Sequence, residues 1–459
     1  MRFRGRFLGR ALVAGGVAWN AVPVLSADPN VADGGRRGAT IVASCVIPQV
    51  TLAEPTGEEP AVMLGGISDL AVDRADLASA GCWTAWVVTD RGPNGIVTVD
   101  GREHRTLVSP SFAPRVLALA IDWEPGHPPK LAARVTENMP RVDRDGAPLS
   151  GRPNGRKNDP HILDPTGHVS IAADPDGVDT EGLVRTRAGG FWVAEEYRPS
   201  LLAIDDDGTA RRRFVPRGTA LMGAGMEVVD TLPEVYADRR DNRGFEALAI
   251  TPDESRLFVL LQSPADRPDR DTAEQVGNVR LLAFDPVTVR PAAEHVYRLG
   301  DPSTRGRRRG QKASDDGKLC AMAAVGPSSL VVLEQAAGGS ARLYLAELAA
   351  ATNTLSRTTS GDNPPLESVQ DLDAAGIHPV EKMLLADLGP MLDEMRSQAG
   401  LLGEDAGPLK VEGLAVIDQQ HILLVNDDDF GVGKEDTPRP SGTCLWLLRL
   451  ATPLPSTQL

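Results

Sequence analysis

One strand–turn–strand phrase recurs along this chain, and it constrains the fold more than any other feature. Its clearest copy covers residues 410–432, KVEGLAVIDQQHILLVNDDDFGV. Leu414 and Val416 mark a first strand, Asp418-Gln419-Gln420 is a polar break, and residues 422–425 make a second strand. That strand runs into Asn426, Asp427, Asp428 and Asp429. Four adjacent oxygen-bearing side chains need either solvent or a cation to stay together.

The phrase returns as ISDLAVD at Ile67 followed by WTAWVVTDRGPNG, as TEGLVRTRAGGFWVAEEYRPSLLAID at Thr180, as FEALAITPDESRLFVLLQSP at Phe245 and as LCAMAAVGPSSLVVLEQ at Leu319. Stacked, the copies put Ser68, Glu181, Glu246, Cys320 and Glu412 in one column. A second column holds Asp90, Glu196, Gln262, Glu334 and Asp427. Repetition at tens of residues marks a radial or solenoid array, and paired strands in each unit favour a β-propeller. Residues 115–123 and 130–135 read as strands of a further unit. The expected fold is therefore all-β, a single β-propeller of six or seven blades.

A short helical insertion is expected near 380–400, where Met383, Leu384, Leu388, Met391, Leu392 and Met395 recur at helical spacing and Pro390 limits the length. Two charged loops, 266–276 and 305–316, interrupt the strand pattern. The second contains RGRRRG.

The N-terminus reads as an export signal over residues 1–27. Arg2, Arg4, Arg6 and Arg10 precede a mostly apolar run that ends in Leu25-Ser26-Ala27. A flexible leader is expected over 28–40 and the propeller domain over 41–459, with 41–52 closing the ring. No other segment is apolar enough to span a bilayer, so the expected location is periplasmic or extracellular. The net charge of −15 argues against nucleic acid as a partner. A small-molecule substrate and a monomer are expected.

Cys45, Cys82, Cys320 and Cys444 match no metal motif. In an oxidising compartment they allow three pairings. A propeller's two chain ends meet in one blade, which makes Cys45–Cys444 the expected bond. The alternative is that all four are small buried apolar residues.

Propeller geometry gathers equivalent residues near the axis. Glu181, Glu246 and Glu412 would crowd there, with Asp90, Glu196, Glu334 and Asp427 beside them. Like charges raise each other's pKa unless a cation neutralises them. Calcium suits many irregular oxygen ligands, so it is the expected cofactor. The expected ligands are Glu181, Glu246, Glu412, Asn426 and Asp427, and Glu196 or Asp90 is the expected general base. The competing reading is that each carboxylate caps its own blade by accepting backbone N–H bonds.

Several chemistries have no sequence support. There is no G-x-S-x-G elbow, no H-E-x-x-H, no P-loop and no dinucleotide fingerprint. Asp174-Pro175-Asp176-Gly177 and Asp205-Asp206-Asp207-Gly208 lack the closing Glu of an EF-hand and read as turns. Arg211-Arg212-Arg213 is a basic run that a phosphate group or solvent alone can satisfy.

Taken together, GGISDLAVD at Gly65, VTDRGPNG at Val88, DTEGLVRTRAGGFWVAEEYRPSLLAIDDDG at Asp179, NRGFEALAITPDESRLFVLLQSP at Asn242 and the 410–432 phrase resemble the phytase-like family described as having esterase-like activity. Its members are exported β-propeller proteins. The resemblance implies hydrolysis of esters, phosphate esters among them. The copies here are uneven: one Glu-Gly-Leu motif reads Glu246-Ala247-Leu248 instead, and the equivalent position at Cys320 carries no carboxylate. Three readings follow: a calcium-dependent hydrolase, a lactonase-type propeller, and a non-catalytic ligand-binding propeller holding structural calcium.

Overall fold

Each strand–turn–strand phrase becomes the inner half of a larger antiparallel sheet. The computed structural model describes residues 38–77, 81–155, 161–300, 317–336, 341–401, 408–432 and 442–455. The expected export signal, residues 28–37 of the leader and the RGRRRG run lie outside the described residues.

Blade 1 consists of Ile67–Val72, Cys82–Thr89, Arg115–Glu124 and Lys130–Pro140. Blade 2 consists of Thr180–Arg185, Phe191–Glu195, Ser200–Ile204 and Ala210–Pro216, with Glu227–Leu232 added in parallel. Blade 3 consists of Phe245–Ile250, Leu257–Leu261, Asn278–Asp285 and Arg290–Arg298. Blade 4 consists of Lys318–Ala324, Ser329–Gln335, Ala341–Glu347 and Glu381–Asp387. Blade 5 consists of Lys410–Val416, His421–Asp427 and Cys444–Leu450, completed by Ala39–Val46 from the other end of the chain. That last strand takes in Ala39 and Thr40, which the sequence assigned to the leader.

The described residues thus form an all-β propeller of five blades, not six or seven. The miscount has a local cause. Residues 115–123 and 130–135 pair with Cys82–Thr89 and with each other, so they are the outer half of blade 1. An inserted hairpin, Asn94–Val99 with Arg102–Leu107, separates the two halves in sequence and mimics a unit boundary.

The helical insertion is also smaller than expected. Glu381–Asp387 is the edge strand of blade 4, paired with Ala341–Glu347, and only Leu392–Gln398 is α-helical. Met383 and Leu384 obey a helical period by coincidence, because an open sheet edge supplies their backbone bonds. No helix among the described residues is long and apolar enough to cross a membrane.

All four cysteines are free thiols. Cys45 and Cys444 do meet in the closing blade, but out of phase. Cys45 pairs with Leu445, and Cys444 pairs with Val46. Successive side chains alternate between sheet faces. Cys45 therefore packs toward the blade 1 side and Cys444 toward the blade 4 side.

Apolar faces of adjacent blades pack against each other and make the core. Trp192, Phe214 and Phe284 stack between blades 2 and 3, with neighbouring ring centroids 5.5 Å apart for Trp192–Phe214 and for Phe214–Phe284. The first strand of each blade lines the axis. Five such strands leave little room, so the position after each phrase's first polar residue is small: Gly182, Ala247, Ala321 and Gly413. A Cβ on Gly182 would lie 2.7 Å from the Leu248 Cβ of blade 3. The exception, Asp69, is buried and accepts N–H bonds from Leu70 and from Leu183 of blade 2, both at 2.8 Å. The far end of the axis is an apolar funnel of about 80 Å³. Arg74 of blade 1 reaches across it to the carbonyls of Ile250 (2.8 Å) and Pro252 (2.9 Å) in blade 3.

If axial crowding sets the small column, Gly182→Val should destabilise the protein by about 1–3 kcal/mol, the range for overpacked cores. Urea unfolding reads this directly. An unchanged midpoint would show that the inner strands have room to spare.

Candidate functional site

The five inner strand pairs share one irregularity. In each, the pairing skips a residue near the start of the first strand, and the skipped residues are Ser68, Glu181, Glu246, Cys320 and Glu412. A β-bulge leaves its extra residue out of the ladder and re-aims its side chain. The column read from sequence is therefore a ring of bulges at one end of the axis.

The second column needs one correction. Thr89, Glu195, Leu261, Glu334 and Asn426 occupy equivalent paired positions. The residues that follow them are Asp90, Glu196, Gln262, Gln335 and Asp427, so Gln335 takes the place given to Glu334. Glu334 instead accepts hydrogen bonds from Tyr297 Oη (2.7 Å) and the Gly300 N–H (2.9 Å) and pairs with Lys382. Asn426 sits in that same paired column. Its carboxamide donates to the Gly442 carbonyl (3.1 Å) and accepts from the Cys444 N–H (2.7 Å), which removes it from the axial set.

A third column, two residues before each bulge, was missed from sequence. It holds Gly66, Asp179, Gly244, Lys318 and Lys410. Lys318 Nζ contacts Glu412 and lies 3.9 Å from Glu246. Lys410 Nζ lies 3.0 Å from Asp427 and contacts Asp429. Arg91, which follows Asp90 in VTDRGPNG, was also missed. Its backbone N–H donates to Asp179 (3.0 Å), and its guanidinium contacts Asp179, lies 3.2 Å from Glu196 and donates to Asn242 (2.6 Å). The guanidinium also sits 5.3 Å over the Tyr197 ring. The repeats carried the signal for all three cations, since each adjoins a column already read.

Two groups of candidate ligand atoms lie within 4.8 Å of one another: Asp179, Glu181 and Glu196, and Glu246, Cys320 and Glu412. In the second group Glu246 Oε1 accepts from Gln262 while Oε2 has no hydrogen-bond partner; Ser68 Oγ, which belongs to neither group, has none either. Glu181 is buried, and no hydrogen bond or ion pair holds its carboxylate among the described residues. These unsatisfied oxygens form a hard, anionic donor set, which fits a cation such as calcium. The Glu246–Glu412 pair already faces an ammonium group.

Burial raises Glu181 well above the usual carboxylate range, with Glu246, Asp179, Glu196 and Glu412 adding to it. Burial and the neighbouring Asp427 and Asp179 do the same to Asp90. Burial raises Glu246 despite Lys318, and raises Asp427 to about 8 despite Lys410. Asp179 is raised to about 7 by burial, against the pull of Arg91. Glu196 goes the other way. Burial would raise it, but Arg91 and a hydrogen bond from Asp179 together hold it below the usual range. Asp179 and Glu196 are thus a proton-sharing pair clamped by one guanidinium.

The structure defines a five-bladed propeller with a carboxylate-lined axis. A family model described as phytase-like, with esterase-like activity of phytase, matches residues 62–430, and the chain belongs to that family. An uncharacterized secreted protein of Arthroderma benhamiae is 26% identical over 276 residues, covering 51% of each chain. The chain thus spans about half the length of that curated relative. Among solved structures, the PQQ-bound aldose sugar dehydrogenase of Streptomyces coelicolor aligns over 88% of this chain and 98% of its own, with 11% identity and a TM-score of 0.32. Kuenenia stuttgartiensis hydrazine synthase aligns over 82% and 80%, with 11% identity and a TM-score of 0.31. Similarity that weak says nothing about chemistry.

Raised carboxyl pKa values make a stability prediction. The folded state holds protons that the unfolded chain releases near the ordinary carboxylate pKa, so this stability is present at low pH and lost as pH climbs through about 7 for Asp179 and about 8 for Asp427. Glu196 opposes the trend but is one group against several. In chelator, the melting temperature should fall between about pH 5 and about pH 8, and Asp427→Asn should flatten the slope. A melting temperature that rises over this window would contradict the raised values.

Proposed function

We propose that this protein is an exported hydrolase of ester bonds in small molecules, phosphate esters included, and that the bulge ring with the Asp179–Glu196 pair is its reacting site. The observation that carries this reading is Glu181: a buried carboxylate with no partner, surrounded by four others. Structural blade caps have their bonds made, as Asp69 does. A carboxylate left open at the meeting point of five blades is available to a ligand.

The roles of the chain's own groups follow from their protonation. Glu196, held ionised by Arg91, is the group able to accept a proton at neutral pH. Asp179, raised to about 7, is able to return one. Burial with Asp427 and Asp179 nearby raises the Asp90 carboxyl, which makes it the weaker base candidate. Arg91 orients both members of the pair. Calcium would be held by Glu181, Glu246 Oε2, Ser68 Oγ and Asp427. When bound, it supplies positive charge that keeps these carboxylates ionised and offsets negative charge gathering on an ester oxygen. Export is supported by the basic and apolar start of the chain and by the secreted relative.

A second reading rests on Lys318 and Lys410. They neutralise part of the ring from within, as expected of a non-catalytic propeller whose axis is built for rigidity.

Comparing an aryl phosphate, an aryl acetate and a lactone, each with calcium and with chelator, separates the readings. The hydrolase reading expects turnover of one or both aryl esters that chelator suppresses, and a loss of about 10²–10⁴-fold in kcat for Glu196→Gln. Lactone turnover alone identifies a lactonase-type activity, and no turnover of any of the three favours the second reading.

Calcium binding has its own readout. Calcium at a hundred times its dissociation constant should stabilise the folded state by roughly 2.7 kcal/mol. The melting-temperature gain should shrink in Glu181→Gln and persist in Asp253→Asn, a turn residue. Coincident melting curves for metal-free and calcium-loaded protein would remove calcium from the proposal.

A further inference from the structure

We propose a second ligand site, apart from the acidic ring, at the outer edge of blade 1, where Arg141 and Arg115 hold a small inorganic monoanion of the chloride kind. Arg141 follows the outermost strand, Lys130–Pro140, and is 0% exposed. Its Nη2 donates to the Arg115 carbonyl (3.3 Å), but its Nε and Nη1 have no partner. Arg115 pairs with Pro140 across the sheet and is half-buried. Its guanidinium lies 5.4 Å over the Phe112 ring, and its Nε is also buried without a partner.

No ion pair joins either guanidinium to a carboxylate among the described residues. Other deeply buried arginines differ. Arg213 pairs with Glu195 at 2.6 Å, and Arg280 pairs with Glu294 at 3.0 Å and Glu367 at 2.6 Å. The charge that acts on Arg141 is the like charge of Arg115. Burial and that repulsion lower Arg141 only to about 9, so it remains a cation at neutral pH. A guanidinium kept charged in the interior requires a counter-charge, and its N–H groups require acceptors.

The donor count favours a small ion. Arg141 offers Nε and Nη1, and Arg115 offers Nε. Three donors satisfy one spherical acceptor. A phosphate or sulfate would bring four oxygens and leave some of them buried without donors.

The site also bears on the axis without depending on the proposed hydrolysis. The Arg141 carbonyl accepts the Leu149 N–H (3.0 Å) and so starts the loop that leads to Gly151. Gly151 packs so closely on the Arg91 carbonyl that a Cβ would overlap it, and its own carbonyl accepts from Tyr197 Oη (2.7 Å). An anion at Arg141 therefore fixes a loop that supports Arg91 and Tyr197.

The test is thermal unfolding of full-length protein, first freed of small anions in gluconate and then titrated with chloride or bromide at constant ionic strength. The expected result is a saturable rise in melting temperature that Arg141→Met abolishes. Bromide-soaked crystals of the unmodified protein should show an anomalous peak beside Arg141, a readout that does not depend on the variant folding. Equal melting temperatures in gluconate and chloride overturn the proposal, as does the lack of a bromide peak there. A response to phosphate or sulfate with none to chloride overturns the monoanion assignment.

Discussion

The narrowness of a five-strand axis governs the rest of this structure. Inner strands meeting at so tight a ring admit only small residues at the level of Gly182, Ala247, Ala321 and Gly413. One residue earlier, every strand bulges, and the extra side chain leaves its ladder. The two constraints act together. A flat strand would send the Glu side chains between blades, where apolar packing excludes them, whereas the bulge delivers them to one end of the axis. Carboxylates crowded and buried in this way bind protons more tightly or recruit cations. Lys318, Lys410 and Arg91 are among the cations this chain supplies itself.

Much of this was legible in the sequence because repetition converts positions into columns. Ser68, Glu181, Glu246, Cys320 and Glu412 aligned by phrase alone, and they are the five bulges. What failed did so where the copies stop resembling one another. Outer strands carry no shared phrase, so residues 115–135 counted as a unit of their own when a hairpin displaced them. Glu334 and Gln335 are adjacent, and the bulge at Cys320, not charge, sets the register that puts Gln335 in the second column. Asn426 was grouped with its acidic neighbours, although adjacent strand residues point to opposite faces. The Cys45–Cys444 bond failed for the same reason, since proximity of chain ends does not fix side-chain phase.

The unevenness of the copies gives the ring its chemistry. With five identical phrases, every bulge residue would have the same surroundings. Here the residue two positions earlier decides what each one meets. Lys410 stands before Glu412 and Lys318 before Cys320, and their ammonium groups turn onto carboxylates of blades 3 and 5. Gly244, before Glu246, adds nothing. Before Glu181 the residue is Asp179, which adds negative charge where the others add positive charge or none. The axis is therefore polarised, with self-neutralised blades 4 and 5 on one side and an acid-rich blade 2 on the other, where Arg91 pairs with Asp179 and Glu196 and Arg239 and Arg243 lend Glu196 more distant positive charge. A site with such a gradient across a few residues orients a charged or dipolar ligand before any contact is made. Glu181 is left open because its own phrase, alone among the five, supplies a second acid in place of a lysine or a glycine.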